Sequence, residues 1–215
     1  MSRNIVLTGC TLALLVACQS KVEQVEAEDS YGYTEKYERK KADFAKHGLY
    51  EKFTTDGKKL EQAHYTNDTL NGMRILYYES GDTQVVETHR MGIFEGPFRA
   101  YYESGKLEIE GQYEANVMHG EWKRYYPNGQ LMEVVIFAEN AENGPFVEYY
   151  KNGNKKAEGT YRNGEENGLL KKFSLAGEHI RSMNCEDGIC RTIWKADNAD
   201  ELEAEAEREN SLVRK

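Results

Sequence analysis

The residues with the clearest capacity for chemistry are four cysteines, Cys10, Cys18, Cys185 and Cys190, and five histidines at 47, 64, 89, 119 and 179. A thiol can hold a metal, a lipid or a second thiol, and its surroundings decide which. In "CEDGIC", Cys185 and Cys190 flank a four-residue turn rich in Asp and Gly, so their sulfurs can meet across the neck of a hairpin. That spacing does not suit a metal, and no histidine neighbours it; a disulfide and a pair of free thiols are the two readings. The histidines are scattered. No Ser-His-Asp order, phosphate loop or metal-spaced His/Cys cluster occurs in the sequence. Carboxylates are plentiful, but one without a desolvating pocket is a solvated surface group. The expectation is a protein with no catalytic residues, metal or cofactor.

Cys18 stands differently. It follows an apolar run from Ile5 to Ala17 and a single basic residue, Arg3, and closes "LVAC". Such a segment reads as a secretory signal, too short to span a bilayer durably. The small Ala17 before Cys18 resembles the lipobox of bacterial lipoproteins, which implies that Cys18 is lipidated and becomes the first residue of the mature chain. Gln19 is not the aspartate associated with inner-membrane retention, so the expectation is a lipid anchor in the bacterial outer membrane, facing the periplasm or the cell surface. The alternative is a soluble secreted protein with a chance cysteine at the cleavage point. With Cys10 discarded and Cys18 lipidated, Cys185 and Cys190 are left as an even pair in an oxidising compartment.

What must position any site is a repeat. Glycine stands at 48, 72, 96, 120, 144 and 168, and again at 57, 81, 105, 129, 153 and 177, which makes six copies with a period of 24. A period of this length marks an array. With the first glycine as position zero, position eight reads Asp56, Ser80, Ser104, Asn128, Asn152 and Ala176, before the invariant glycine at nine. Those dipeptides predict a two-residue hairpin turn at eight and nine. A second turn is expected near position twenty, at Asp68, Gly92, Asn116, Asn140, Gly164 and Gly188. Two turns per 24 residues leave two strands of ordinary length, so each repeat is a β-hairpin and successive hairpins form a meander.

A turn at eight and nine pairs position two with fifteen and six with eleven. Large residues at position two (Tyr50, Phe98, Trp122, Phe146, Leu170) then face Ala63, Gly111, Val135, Gly159 and Met183, while repeat two has Arg74 against Glu87. By the period-two rule one face becomes an aromatic gutter. Its centre is Phe98, Tyr102, Trp122, Tyr126, Phe146 and Tyr150, the candidate binding residues. Two readings of these rings stand: they hold a thin sheet together, or they also grip a ligand, a peptide or a glycan.

The expected organisation is a signal peptide over 1–17, a lipidated cysteine and polar tether over 18–46 with a short helix from Thr34 to Ala45, a repeat domain with a capping hairpin over 47–195, and an acidic tail over 196–215. That tail holds seven acidic and three basic residues and favours a helix without an apolar face. The net charge of −9 and the lack of clustered Lys and Arg argue against nucleic acid.

The spelling "GEWKRYYPNGQL" at 120–131 and "GPFVEYYKNGNK" at 144–155 resembles the MORN repeat in its bacterial variant form; repeats one, two and six depart from it. The resemblance implies an all-β, single-layer antiparallel array of hairpins acting in binding or assembly, with a protein or envelope glycan as partner. Some relatives carry an antitoxin label, so an antitoxin or immunity role is the alternative, and a glycan-active envelope enzyme is a third.

Overall fold

The computed structural model describes residues 21–212; Cys10, Cys18 and the signal segment lie outside them. The described residues form one 16-stranded antiparallel sheet in hairpin order, followed by a single helix, Ala199–Leu212. This is the all-β, single-layer array expected from the repeat.

The pairing follows the repeat through most of each hairpin. Tyr50 faces Ala63, Arg74 faces Glu87, Phe98 faces Gly111, Trp122 faces Val135, Phe146 faces Gly159 and Leu170 faces Met183. Nearer the turn the register differs from expectation. Position five, not six, pairs with eleven, as Tyr101 does with Leu107 and Tyr125 with Leu131. The Gly105 N–H donates to the Tyr102 carbonyl at 2.8 Å and the Tyr102 N–H to the Lys106 carbonyl at 2.9 Å, and the same pair of bonds recurs in the other repeats. This loop is a turn closed by a left-handed glycine, with one residue bulged out of the returning strand. Gly105 has φ +78°, whereas position eight is not left-handed in any copy. The two-residue turn sits instead at positions nineteen and twenty, where Ala115 and Asn116, for example, have φ of 51° and 69° between the paired Glu114 and Val117. Both central residues with positive φ define the mirror-image turn whose twist suits a hairpin.

Two flanking segments depart from the expected plan. The region read as a tether is sheet: Val22–Glu28 and Thr34–Lys40 form a hairpin, and Tyr37 pairs with both Val25 and Tyr50. The expected helix from Thr34 is therefore a strand, because Tyr37 can join the gutter only with extended backbone. At the other end the acidic tail is helical as expected, yet it is not free in solvent. Ala199 is fully buried and Ala206 is 5% exposed, and with the half-buried Leu202 and Glu203 between them they form the contact face.

The C-terminal cap is stapled as one of the two readings allowed. Cys185 and Cys190 are cross-strand partners joined by a disulfide.

Candidate functional site

The gutter exists, and its rings come from positions two and seventeen. Phe98 meets Tyr113 edge-on with centroids 5.8 Å apart, Tyr113 meets Trp122 at 5.3 Å, and Phe146 stacks on Tyr161 at 4.3 Å. Trp122, Val135, Phe146, Ala157, Leu170 and Cys185 form the buried cluster beneath, with Phe98, Tyr113 and Tyr161 packed against it. A single-layer sheet has no second sheet to bury its rings, so each large ring is covered by its neighbours and lies over a small residue. At Gly111 the room is already taken: an added Cβ would lie 2.1 Å from the Trp122 ring.

Of the six candidate binding residues, Phe98, Trp122 and Phe146 are in this stack, while Tyr102, Tyr126 and Tyr150 do a different job. Their hydroxyls donate to the carbonyls of Tyr125, Tyr149 and Phe173 at 2.6, 2.8 and 2.8 Å. Tyr78 does the same to Tyr101 at 2.7 Å. Each hydroxyl thus satisfies a backbone acceptor of the following repeat and laces the turn edge of the sheet. Asn128 and Asn152 add a second set of ties, their amides donating to the carbonyls of Lys151 and Leu175. The opposite edge is laced as well: the Asn116 N–H donates to the Phe94 carbonyl at 3.0 Å, and its side-chain oxygen accepts from the Phe94 N–H at 2.7 Å.

The C-terminal helix covers the last part of the gutter and makes a half-open pocket there. Arg181, on the gutter face with its side chain 13% exposed, donates to both carboxylate oxygens of Glu203 at 2.9 Å and also reaches Asp200. Lys195 bonds Asp200 at 2.7 Å. Bonds from Lys195 and then Arg181 hold the Asp200 carboxyl below the usual carboxylate range. Between helix and sheet lies a cavity of about 300 Å³, the lower end of the range for ligand pockets. Its floor is Phe146, Tyr150, Ala157 and Leu170, with the Phe173 backbone beside them, its roof Ala206, and its rim Glu148, Lys156, Glu166, Lys172, Glu203 and Glu207; the Phe173 ring points to the other face, under Lys155 and beside His179. Lys156 is paired with Glu148 at 2.6 Å. Burial, followed by the carboxylates Glu203 and Glu148, pushes the Tyr150 hydroxyl up to about 12. Farther along the face, burial also raises the Glu133 carboxyl, with Arg124 opposing and Glu148 reinforcing.

The N-terminal end of the gutter is closed by a cation. The Lys46 ammonium lies 4.8, 4.7 and 5.7 Å from the ring centres of Tyr37, Tyr50 and Tyr65, with Glu35 at 3.6 Å.

Sequence reasoning found Phe146 and Tyr150 but missed Leu170, Phe173 and the helix residues of the cavity. The signal was present in Leu170, which occupies the ring position of repeat six. The alanines gave none, since nothing in an Ala/Glu stretch says which face will dock. Among the described residues no group of His, Cys, Asp and Glu is arranged to hold a metal ion.

Four stretches, residues 46–67, 94–115, 118–138 and 142–163, match the family described as MORN repeat variant. They correspond to repeats one, three, four and five. No curated protein matches the chain.

Proposed function

Taking the chain as a protein of MORN-variant repeats, we propose that it is a non-enzymatic binding scaffold of the bacterial envelope, tethered to the outer membrane by lipid on Cys18. The repeat array is the binding element, and the partner is a protein or an envelope glycan. One observation carries the reading: an apolar-floored, charge-rimmed cavity lies where the helix crosses the gutter. The rigid sheet gives this site a fixed floor, and the helix gives it one wall. Its rim charges are held in ion pairs, Lys156 with Glu148 and Arg181 with Glu203, which suits recognition of a partner.

Two measurements test this. Ala206→Leu projects a larger side chain into the cavity from its roof and should abolish capture of the envelope partner that the wild-type protein retains, with the circular dichroism of sheet and helix unchanged. Equal capture by the variant places binding elsewhere. Cys18→Ser should release the protein from outer-membrane fractions, because the anchor is lipid; a variant that still pellets after a high-salt wash overturns the anchoring.

A further inference from the structure

The sheet ends in two outermost strands of opposite character. The last, Ile189–Lys195, is paired with His179–Glu186. Ile189, Ile193 and Trp194 are 67%, 63% and 47% exposed. The helix that follows this strand folds back over the gutter and leaves its outer edge in solvent. Its ionisable side chains are Arg191 and Lys195. The first strand, Val22–Glu28, is paired with Thr34–Lys40, and its ionisable side chains are Glu23, Glu26 and Glu28. Glu23 and Glu26 lean on Arg39 and Lys36 at 2.8 and 3.2 Å, Lys195 leans on Asp200, and Arg191 and Glu28 keep their charge on the edge.

An outer strand offers a row of backbone donors and acceptors to any extended chain, and proteins usually guard it with charge, proline or cover. Here glutamates guard the first strand. The last strand has apolar residues, no proline and, among the described residues, no cover. Side-chain pairing decides what docks there, since like charges across strands repel and unlike charges attract. Two last strands would bring two Arg191 and two Lys195 together, and two first strands would bring together six carboxylates. Only the unlike combination places Arg191 and Lys195 beside Glu23, Glu26 and Glu28.

We propose that the last strand of one copy pairs with the first strand of the next, so that copies join head to tail into one continuing sheet. Such a contact uses two different surfaces and does not close on itself, so it grows into a chain of copies. It stands on the edges of the sheet and is independent of the gutter and its cavity.

Charge reversal tests the pairing. In mild detergent at low salt, sedimentation of the full-length chain should show species that grow past a dimer as concentration rises and shrink as salt is added. Arg191→Glu/Ile193→Glu makes both edges acidic while leaving the Lys195–Asp200 bond of the helix intact, and Glu26→Lys/Glu28→Lys makes both basic. Each variant alone should sediment as a monomer with wild-type circular dichroism, and mixing the two should restore growth, because each then meets an edge of opposite sign. A wild-type chain that stays monomeric at every concentration overturns the proposal. So does a discrete dimer that persists in Glu26→Lys/Glu28→Lys alone, which would show last strands pairing with each other.

Discussion

Repeat two and repeat four place opposite chemistry on the same lattice points. In repeat four, position two is Trp122, 5% exposed, lying over Gly111 and packed against Phe98 and Tyr113. In repeat two it is Arg74, bonded to Glu61 at 2.6 Å and Glu87 at 3.0 Å, while His89 joins Glu87 at 3.0 Å. Glu87 and His89 are as buried as the tryptophan, at 5% and 7% exposed. The turn bonds are nevertheless the same: Gly81 N–H to Tyr78 carbonyl at 2.9 Å, Gly129 N–H to Tyr126 carbonyl at 2.7 Å. The backbone lattice therefore sets the fold, and the floor needs only a filler of the right size, since it accepts Trp122 Nε1 in one repeat and His89 Nδ1 in the other buried without a hydrogen-bond partner. Repeat two is also one of the copies outside the family match, as expected if the match reads floor residues.

The two floors should fail differently. Arg74→Ala leaves Glu61 and Glu87 without their shared cation in a mostly buried position, and a loss of about 3–5 kcal/mol is expected. Replacing the whole cluster by the residues found 24 positions later, as Glu61→Val, Arg74→Phe, Glu87→Gly and His89→Tyr, should restore wild-type stability or exceed it, since buried ions must offset their own desolvation. Urea melts of both proteins measure this. If the graft is as weak as Arg74→Ala, the charged cluster contributes something the aromatic floor cannot replace.

The next effect isolates space from backbone. Gly111→Ala puts a methyl group into the Trp122 ring, and overpacking of this kind costs about 1–3 kcal/mol. Gly105→Ala meets no atom within 4 Å but must hold φ +78°, a cost of about 1–2 kcal/mol. Adding Trp122→Leu should recover part of the loss at Gly111 and none of that at Gly105. Chemical denaturation of the two double variants checks the coupling, and equal recovery at both sites would remove the distinction.

The period of 24 made the hairpins, the position-two pairs and the cysteine staple legible, because glycine spacing and ring-over-small pairing both act within one repeat. What it hid was whatever acts between elements or through backbone. The turn types were exchanged because Asn-Gly reads as a two-residue turn, while Ala115 and Glu139 carry the positive φ that glycine usually advertises. The hairpin over residues 22–40 was missed because Val25 and Tyr37 are its main gutter residues and most other positions of its two strands are charged or polar. The helix was placed in solvent because a face of Ala199 and Ala206 looks, in sequence, like no face at all. The rings at 102, 126 and 150 were legible as members of the array, but not that each hydroxyl bonds a carbonyl 23 residues away, because the acceptor is backbone of the next repeat.

Those carbonyl bonds supply the smallest effect and the one that should not distinguish the two repeats. Tyr78 and Tyr126 make the same bond, at 2.7 and 2.8 Å, over floors of opposite chemistry. Tyr78→Phe and Tyr126→Phe should therefore each cost about 0.5–1.5 kcal/mol, the net worth of one hydrogen bond, and cost it equally. Thermal melts decide the point; a clear inequality would mean that the floor beneath a repeat reaches its turn edge. Alkaline titration supplies a second readout. The Tyr150 hydroxyl, with an ordinary value of 10.0, is raised in the fold to about 12. Its contribution is complete below pH 10 and is lost as the pH climbs through 12, because the unfolded chain gives up the proton first. Wild-type stability should fall across that window, and Tyr150→Phe, which cannot ionise, should fall less steeply. If the two proteins decline in parallel, the ladder tyrosine is not what the alkaline transition reports.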